Sequence, residues 1–182
     1  MKIRENLKIA AAAVAFLWLV FLIDQLTAVD LRLYGLQPRT INGLLGILFA
    51  PFLHVEIAHL IANTSAFFIL LAVSLSFSQR LAVKAVLIII VVGGGLVWLL
   101  GAGSTIHVGA SGIIFGLTGF LMSLGAFRRE WGALAISAGI LILYGGALQV
   151  LLIHMPGISW SGHLFGFISG VLAAWWTKKE KC

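Results

Sequence analysis

The chain has 182 residues, 61% of them hydrophobic and only 10% charged, with a mean hydropathy of +1.11, a balance that excludes an ordinary soluble domain. A net charge of +6 could suit nucleic acid, but the basic residues stand in short clusters between apolar runs, the pattern of membrane topology. The single cysteine, Cys182, excludes a disulfide framework or a thiolate metal cluster, and it does not stand four residues from the end as a prenylation motif requires.

A membrane-spanning helix needs about 20 mostly apolar residues. The first such run, 8–26, follows Lys2, Arg4 and Lys8 and lacks a small-residue cleavage site, so it reads as a retained anchor and not a signal peptide. The next apolar stretch, 41–53, is short and broken by Gly43, Gly46 and Pro51, which suits a re-entrant or interfacial element. Spans are then expected at 57–77, 82–101, 111–127, 132–153 and 161–177, the fifth interrupted midway by Gly145 and Gly146. The expected fold class is an all-α membrane protein, one six-transmembrane helix bundle over residues 1–182.

Alternating six spans from a cytoplasmic N-terminus puts both termini in the cytoplasm. It also puts ten basic residues inside (Lys2, Arg4, Lys8, Arg80, Lys84, Arg128, Arg129, Lys178, Lys179, Lys181) and two outside (Arg32, Arg39). That bias fits the positive-inside rule, and the inverted topology violates it throughout. The implied location is the cell's inner (plasma) membrane, as a multi-pass protein. The five histidines, at 54, 59, 107, 154 and 163, all fall toward the outer side.

Three polar residues then share one depth. At the 1.5 Å rise of a helix, Ser111 lies about 25 Å above Arg128, His163 about 22 Å above Lys178, and Asn63 about 25 Å above Arg80. His59 stands one turn above Asn63 on the same face. Intramembrane polar groups are costly and mark functional sites, and serine with histidine is the minimal set for nucleophilic acyl transfer. Glycine stripes at 109, 112, 116 and 119, and at 162, 166 and 170, would let these two helices approach closely.

Here the whole six-span chain resembles the rhomboid intramembrane serine proteases. The resemblance rests on Gly109-Ala110-Ser111-Gly112 heading span four, His59-x-x-x-Asn63 preceded by His54 in span two, and His163-x-x-Gly166-x-x-x-Gly170 in span six. It implies a serine endopeptidase with a Ser–His dyad and no acidic third member. Such an enzyme cuts single-pass transmembrane protein substrates within or near the outer half of the lipid bilayer, with no cofactor. Carried onto this chain, Ser111 is the nucleophile and His163 the general base and then acid. Asn63, His59 and the Ser111 backbone N–H supply the oxyanion site, and Phe115 is the aromatic stacked on the histidine. The chain departs from the family pattern where a Trp-Arg pair is common in the first outer loop (here 43–51), at Phe115 in place of tyrosine, and at Gly162 in place of alanine.

Bland readings compete for each residue. A serine at a helix start is usually an N-cap, and an asparagine in a span is usually interhelical glue. His54, His107 and His154 read as polar boundary residues at the wet interface. His107 is the one competitor of His163 as general base, but it lies too close in sequence to Ser111 to point at it. Two other functions are considered: a proteolytically inactive relative that binds membrane helices, and a histidine-dependent metal transporter or metalloprotease. The metal class is disfavoured because His54 and His59 are five apart, where a zinc helix needs His-Glu-x-x-His. No metal and no nucleic-acid partner is expected. Lateral access for a substrate helix is expected at span five.

Overall fold

A computed structural model describes residues 2–103, 105–151 and 159–180. His154 and Cys182 lie outside these residues. Among the described residues the structure is helical, with one isolated β-bridge between Leu36 and His107.

The first helix, α1 (Lys2–Leu26), starts earlier than its apolar run because the basic residues ahead of it continue the helix. Its buried residues, Asn6, Ala10, Leu17 and Phe21, form one stripe. That stripe packs on α3 (Ile57–Phe77), where the Trp18 indole N–H donates to Thr64 Oγ1 at 3.0 Å. The other face of α1, with Phe16, Leu19 and Leu22, is exposed, as a lipid-facing helix requires.

The first outer segment turns through a 3₁₀ turn (Leu31–Tyr34) into α2 (Ile41–Phe49), a nine-residue helix too short to span. Thr40 caps it by accepting from the Gly43 N–H at 3.0 Å. Gly43 and Gly46 are its buried face, with Gly46 against the Leu36 backbone, while Ile41, Leu44, Leu45 and Leu48 are exposed. Its shortness and its exposed apolar face suit the re-entrant or interfacial element expected of 41–53.

Span three begins at Gln79, three residues before its expected start, because Ser78 caps it by accepting from the Leu81 N–H. It runs as α4 (Gln79–Ile88), a π-helical turn (Ile89–Gly93) and α5 (Gly94–Leu100). Helix α6 (Ser111–Arg128) is central, with 61% of its length buried inside the bundle, and it ends at Arg129 in the left-handed region. Helix α7 (Trp131–Tyr144) gives way at Gly145 to a 3₁₀ turn through Leu151, the interruption expected from the glycine pair. Helix α8 (Trp160–Thr177) packs along α6 more extensively than any other pair of elements.

Five of these helical stretches are long and apolar enough to cross a membrane. Helix α8 is not among them, since Ser161, Gly162, His163, Ser169 and Gly170 dilute its hydropathy; all five but Gly162 are buried, and none needs to face lipid. It nonetheless runs from one end of the bundle to the other. Its first residues meet the outer segment, whereas its last turn lies with the basic end of the bundle. There Arg128 donates to the Thr177 and Glu180 carbonyls and sits over the Phe77 ring, Lys84 pairs with Glu180, and Gln79 donates to Asn6 Oδ1. The opposite end gathers Arg39 on the Leu99 and Gly101 carbonyls and the Leu36–His107 bridge. Two such ends are what the expected six alternating spans would produce.

Candidate active site

Ser111 is the first residue of α6, and the chain reaches it through Gly109 at φ +112°, a conformation that favours glycine. A side chain on Gly109 would also strike the His59 imidazole, so glycine is required there twice over. The Gly109 N–H donates to the Ala50 carbonyl at 2.9 Å, which fixes the turn against the outer segment. As the first residues of a helix, Ser111 and Gly112 present backbone N–H groups with no intrahelical acceptor.

Gly166 and Gly170 of α8 back directly onto the carbonyls of Gly112 and Gly116, and Gly119 onto that of Phe167. The expected glycine contact between the two helices is therefore real, but not every glycine serves it. Gly109 faces His59, Gly116 turns its bare side to Ile89 of the π-turn, and Gly162 faces the Ser159 side chain. The close approach sets the first turns of α6 and α8 side by side, and the half-buried Ser111 lines a cavity of about 70 Å³ with Gly162, Gly166 and Ser159.

His163 is 8% exposed, and its ring stacks on Phe115 at 4.3 Å between centroids and 19° between planes. Its Nδ1 is buried without a hydrogen-bond partner among the described residues, so the imidazole is oriented by stacking and not by a carboxylate. Among the described residues no hydrogen bond joins Ser111 to His163. The serine–histidine hydrogen bond that does form lies between Ser159 Oγ and His107 Nδ1, at 2.6 Å. His107 therefore does not address Ser111, as its sequence separation implied.

The oxyanion candidates sit on α3 and on the loop before it. His54, expected at the wet interface, is instead 2% exposed. Its ring meets that of His59 edge-on at 5.2 Å, and its Nε2 lies 3.2 Å from Asn63 Nδ2 and 3.5 Å from the Ala110 N–H. Since Ala110 can only donate, Nε2 is an acceptor, and Asn63 must present its amide nitrogen. One Asn63 hydrogen is thereby held by His54 and the other has no partner among the described residues. Burial, with His59 adding in the same direction, pushes the His54 imidazole down to about 4, so it stays neutral at physiological pH. Sequence reasoning expected Asn63 and His59 here but read His54, which precedes them, as a boundary residue. The signal was its spacing, five residues before His59 and nine before Asn63, and the correction comes from the loop folding back over the head of α3. Among the described residues no three His, Cys, Asp or Glu side chains cluster as metal ligands do.

Fold and site together define a multi-pass helical integral membrane protein with a polar cluster sunk among its central helices. Residues 42–180 match the Rhomboid domain family model, and the chain belongs to the rhomboid family. Among curated proteins it is 42% identical over 174 residues to an uncharacterised protein of Mycobacterium tuberculosis and to one of Mycobacterium bovis, covering 89% of this chain and 71% of each relative. An uncharacterised Mycobacterium leprae protein is 41% identical over 174 residues, covering 88% of this chain and 67% of that one.

Proposed function

We propose that this protein is an intramembrane serine endopeptidase that cuts single-pass transmembrane substrates, with Ser111 as nucleophile and His163 as general base and then acid. The observation that carries the reading is the His163 ring, buried and held flat on Phe115 one turn below Ser111, with the two helices locked by glycine contacts. Ser111 Oγ attacks the scissile carbonyl while its proton passes to His163. The carbonyl oxygen becomes negative and is met by the Ser111 N–H, the second Asn63 amide hydrogen and His59. His163 then returns the proton to the leaving amine, and water hydrolyses the acyl-enzyme by the same steps reversed. The cavity beside Ser111 has room for that water, since one molecule needs only about 10–15 Å³. Hydrogen bonds of this kind are often loose in a free enzyme and tighten when substrate binds.

A substrate helix reaches the site sideways past α7, which has only 11% of its span buried and presents Ile142 and Leu143 outward at 82% and 72% exposure. Unwinding at Gly, Pro or polar residues exposes the scissile amide, whereas an intact helix keeps its carbonyls bonded.

A second reading draws on the missing Ser111–His163 hydrogen bond: an inactive relative that binds membrane helices without cutting them. One experiment separates the two. The purified protein is incubated in detergent with a model transmembrane substrate, and product masses locate the cut. Ser111→Ala and His163→Ala are expected to reduce cleavage at least a thousandfold, roughly the scale on which dyad groups act, while remaining folded. A fluorophosphonate probe is expected to label Ser111 in the wild type alone. Cleavage that survives Ser111→Ala overturns the nucleophile assignment, and no cleavage by the wild type favours the binder.

A further inference from the structure

The hydrogen bond between Ser159 and His107 is not used by the chemistry above, yet it ties together the two segments that carry it. His107 lies four residues before Ser111, and its backbone forms both hydrogen bonds of the bridge to Leu36, at 2.8 and 2.9 Å. Ser159 is the N-cap of α8, and its carbonyl accepts the N–H of His163 at 3.1 Å. We propose that His107 and Ser159 form a clasp that positions His163 against Ser111.

The polarity of the clasp follows from its neighbours. Thr105 Oγ1 donates to the Ala102 carbonyl at 2.9 Å, so towards His107 it accepts, and the Nε2–H of His107 donates to it at 3.1 Å. A neutral ring then offers Nδ1 as acceptor. Ser159 Oγ accepts from the Gly162 N–H at 3.2 Å and donates its own hydrogen to that Nδ1. The chain of donors thus runs in one direction from Gly162 to Ala102, with every hydroxyl and ring hydrogen used once. Burial holds the His107 imidazole below the usual histidine range, in keeping with the neutral form the relay needs.

Geometry explains why such a clasp is needed. The glycine contacts at 112, 166 and 170 fix how near α6 and α8 lie and which faces meet, but Ser159 and the turn at His107 lie beyond the seam they make. Ser159 and His107 are both beside the cavity that Ser111 lines. A hydrogen bond at this point fixes the register of the first turn of α8 against the turn leading to Ser111. The proposed chemistry assigns neither residue a contact with the substrate, so both are positioning residues. A displacement of about 1 Å between nucleophile and base can cost a hundredfold in rate.

The proposal rests on the Ser111–His163 reading, and the test is arranged to fail separately from it. Ser159→Gly removes the hydroxyl with little loss of capping, His107→Leu removes the ring nitrogens, and His107→Gln restores an acceptor. For a transmembrane substrate, Ser159→Gly and His107→Leu are each expected to lower kcat roughly tenfold or more at unchanged KM. Both should slow fluorophosphonate labelling of Ser111 in parallel, and the double variant should be no worse than either single. His107→Gln should recover most of the rate. The clasp is overturned if the singles stay within about twofold of wild type, if their effects multiply in the double, if only KM changes, or if the probe labels Ser159. Ser111→Ala runs alongside: activity that persists there overturns the proposed function itself, whereas activity lost there but unchanged in the clasp variants overturns the clasp alone.

Discussion

Helix α6 is gripped on two sides in opposite ways. Towards α8 the contact is backbone on backbone, with Gly166 and Gly170 seated on the carbonyls of Gly112 and Gly116 and no side chain between to rearrange. Towards α7 the hold is local. Ser137 Oγ donates to the Leu121 carbonyl at 2.7 Å and accepts from the Gly125 N–H at 2.8 Å, near the end marked by Arg128. Beyond that point Gly139 and Gly146 have nothing within reach, and only Ala133 and Ile140 of α7 are buried. The same residue type therefore does two jobs: glycine in α8 permits a rigid seam, and glycine in α7 merely leaves surface unfilled. In a bilayer, where apolar contact gives helices little reason to associate, tightness comes from such close backbone packing. The seam carries both members of the proposed dyad, and the loose flank is where a substrate helix would pass.

The largest effect should come from filling the seam. Gly170→Leu places a side chain where the Gly116 carbonyl already sits, and overpacking of this kind costs about 1–3 kcal/mol or more. Loss of the folded form is expected by thermal unfolding and gel filtration in detergent. Gly139→Leu on α7 should change stability by less than about 0.5 kcal/mol, the scale of a surface substitution. Equal sensitivity at the two positions would erase the distinction between seam and flank.

Next in size is Phe115→Ala, which removes the ring that orients His163. Cleavage is expected to fall by one to two orders of magnitude, on the scale of a misplaced catalytic group, with substrate KM little changed and Phe115→Tyr close to wild type. A variant that cleaves normally would mean that the seam alone orients the imidazole. A smaller effect of opposite sign is expected on the flank. Ile140→Ala removes one of the two buried residues of α7 and should raise turnover of transmembrane substrates severalfold, because lateral opening commonly limits such steps. Fluorophosphonate labelling of Ser111 should be unchanged. Reduced turnover would place the path elsewhere, with α2 and its exposed apolar face as the next candidate.

The smallest effect is a pH dependence of stability. His54 takes up a proton at about 4 in the folded protein but near the ordinary histidine value of about 6.5 when unfolded. Between those values the unfolded state binds more protons, so stability is full above about pH 6.5 and declines as the pH falls towards 4. His107, also held low by burial, adds in the same direction. His54→Gln should flatten the decline in a melting series. An unchanged slope would show that His54 is more accessible than its burial indicates.

How much of this was legible in the sequence depended on the kind of signal. Helices α3, α6 and α8 begin and end within a residue of their hydropathic runs, because a span's length is set by the bilayer. Stacking of Phe115 on His163 was legible only through the family resemblance, since i to i+4 spacing places Phe115 below Ser111 but says nothing of a residue in another helix. His54 was misread as a boundary residue because hydropathy sees an outer loop as wet, while the fold closes that loop over Asn63. The Ser159–His107 pair was invisible, for no periodicity links residues 52 apart.

By itself the sequence determined the class and the limits of most helices, and it led to the expectation that Ser111, His163 and Asn63 share one depth. Each follows from counting along one helix, where rise per residue and the cost of polar groups in lipid are local quantities. Only the tertiary structure decided which side chain each polar group meets. It set His163 on Phe115, committed one hydrogen of Asn63 to His54, and turned His107 to Ser159 and away from Ser111. Those choices depend on the rotation of each helix about its axis, which is fixed by backbone contact at Gly112, Gly166 and Gly170 and has no counterpart in the pattern of any single segment.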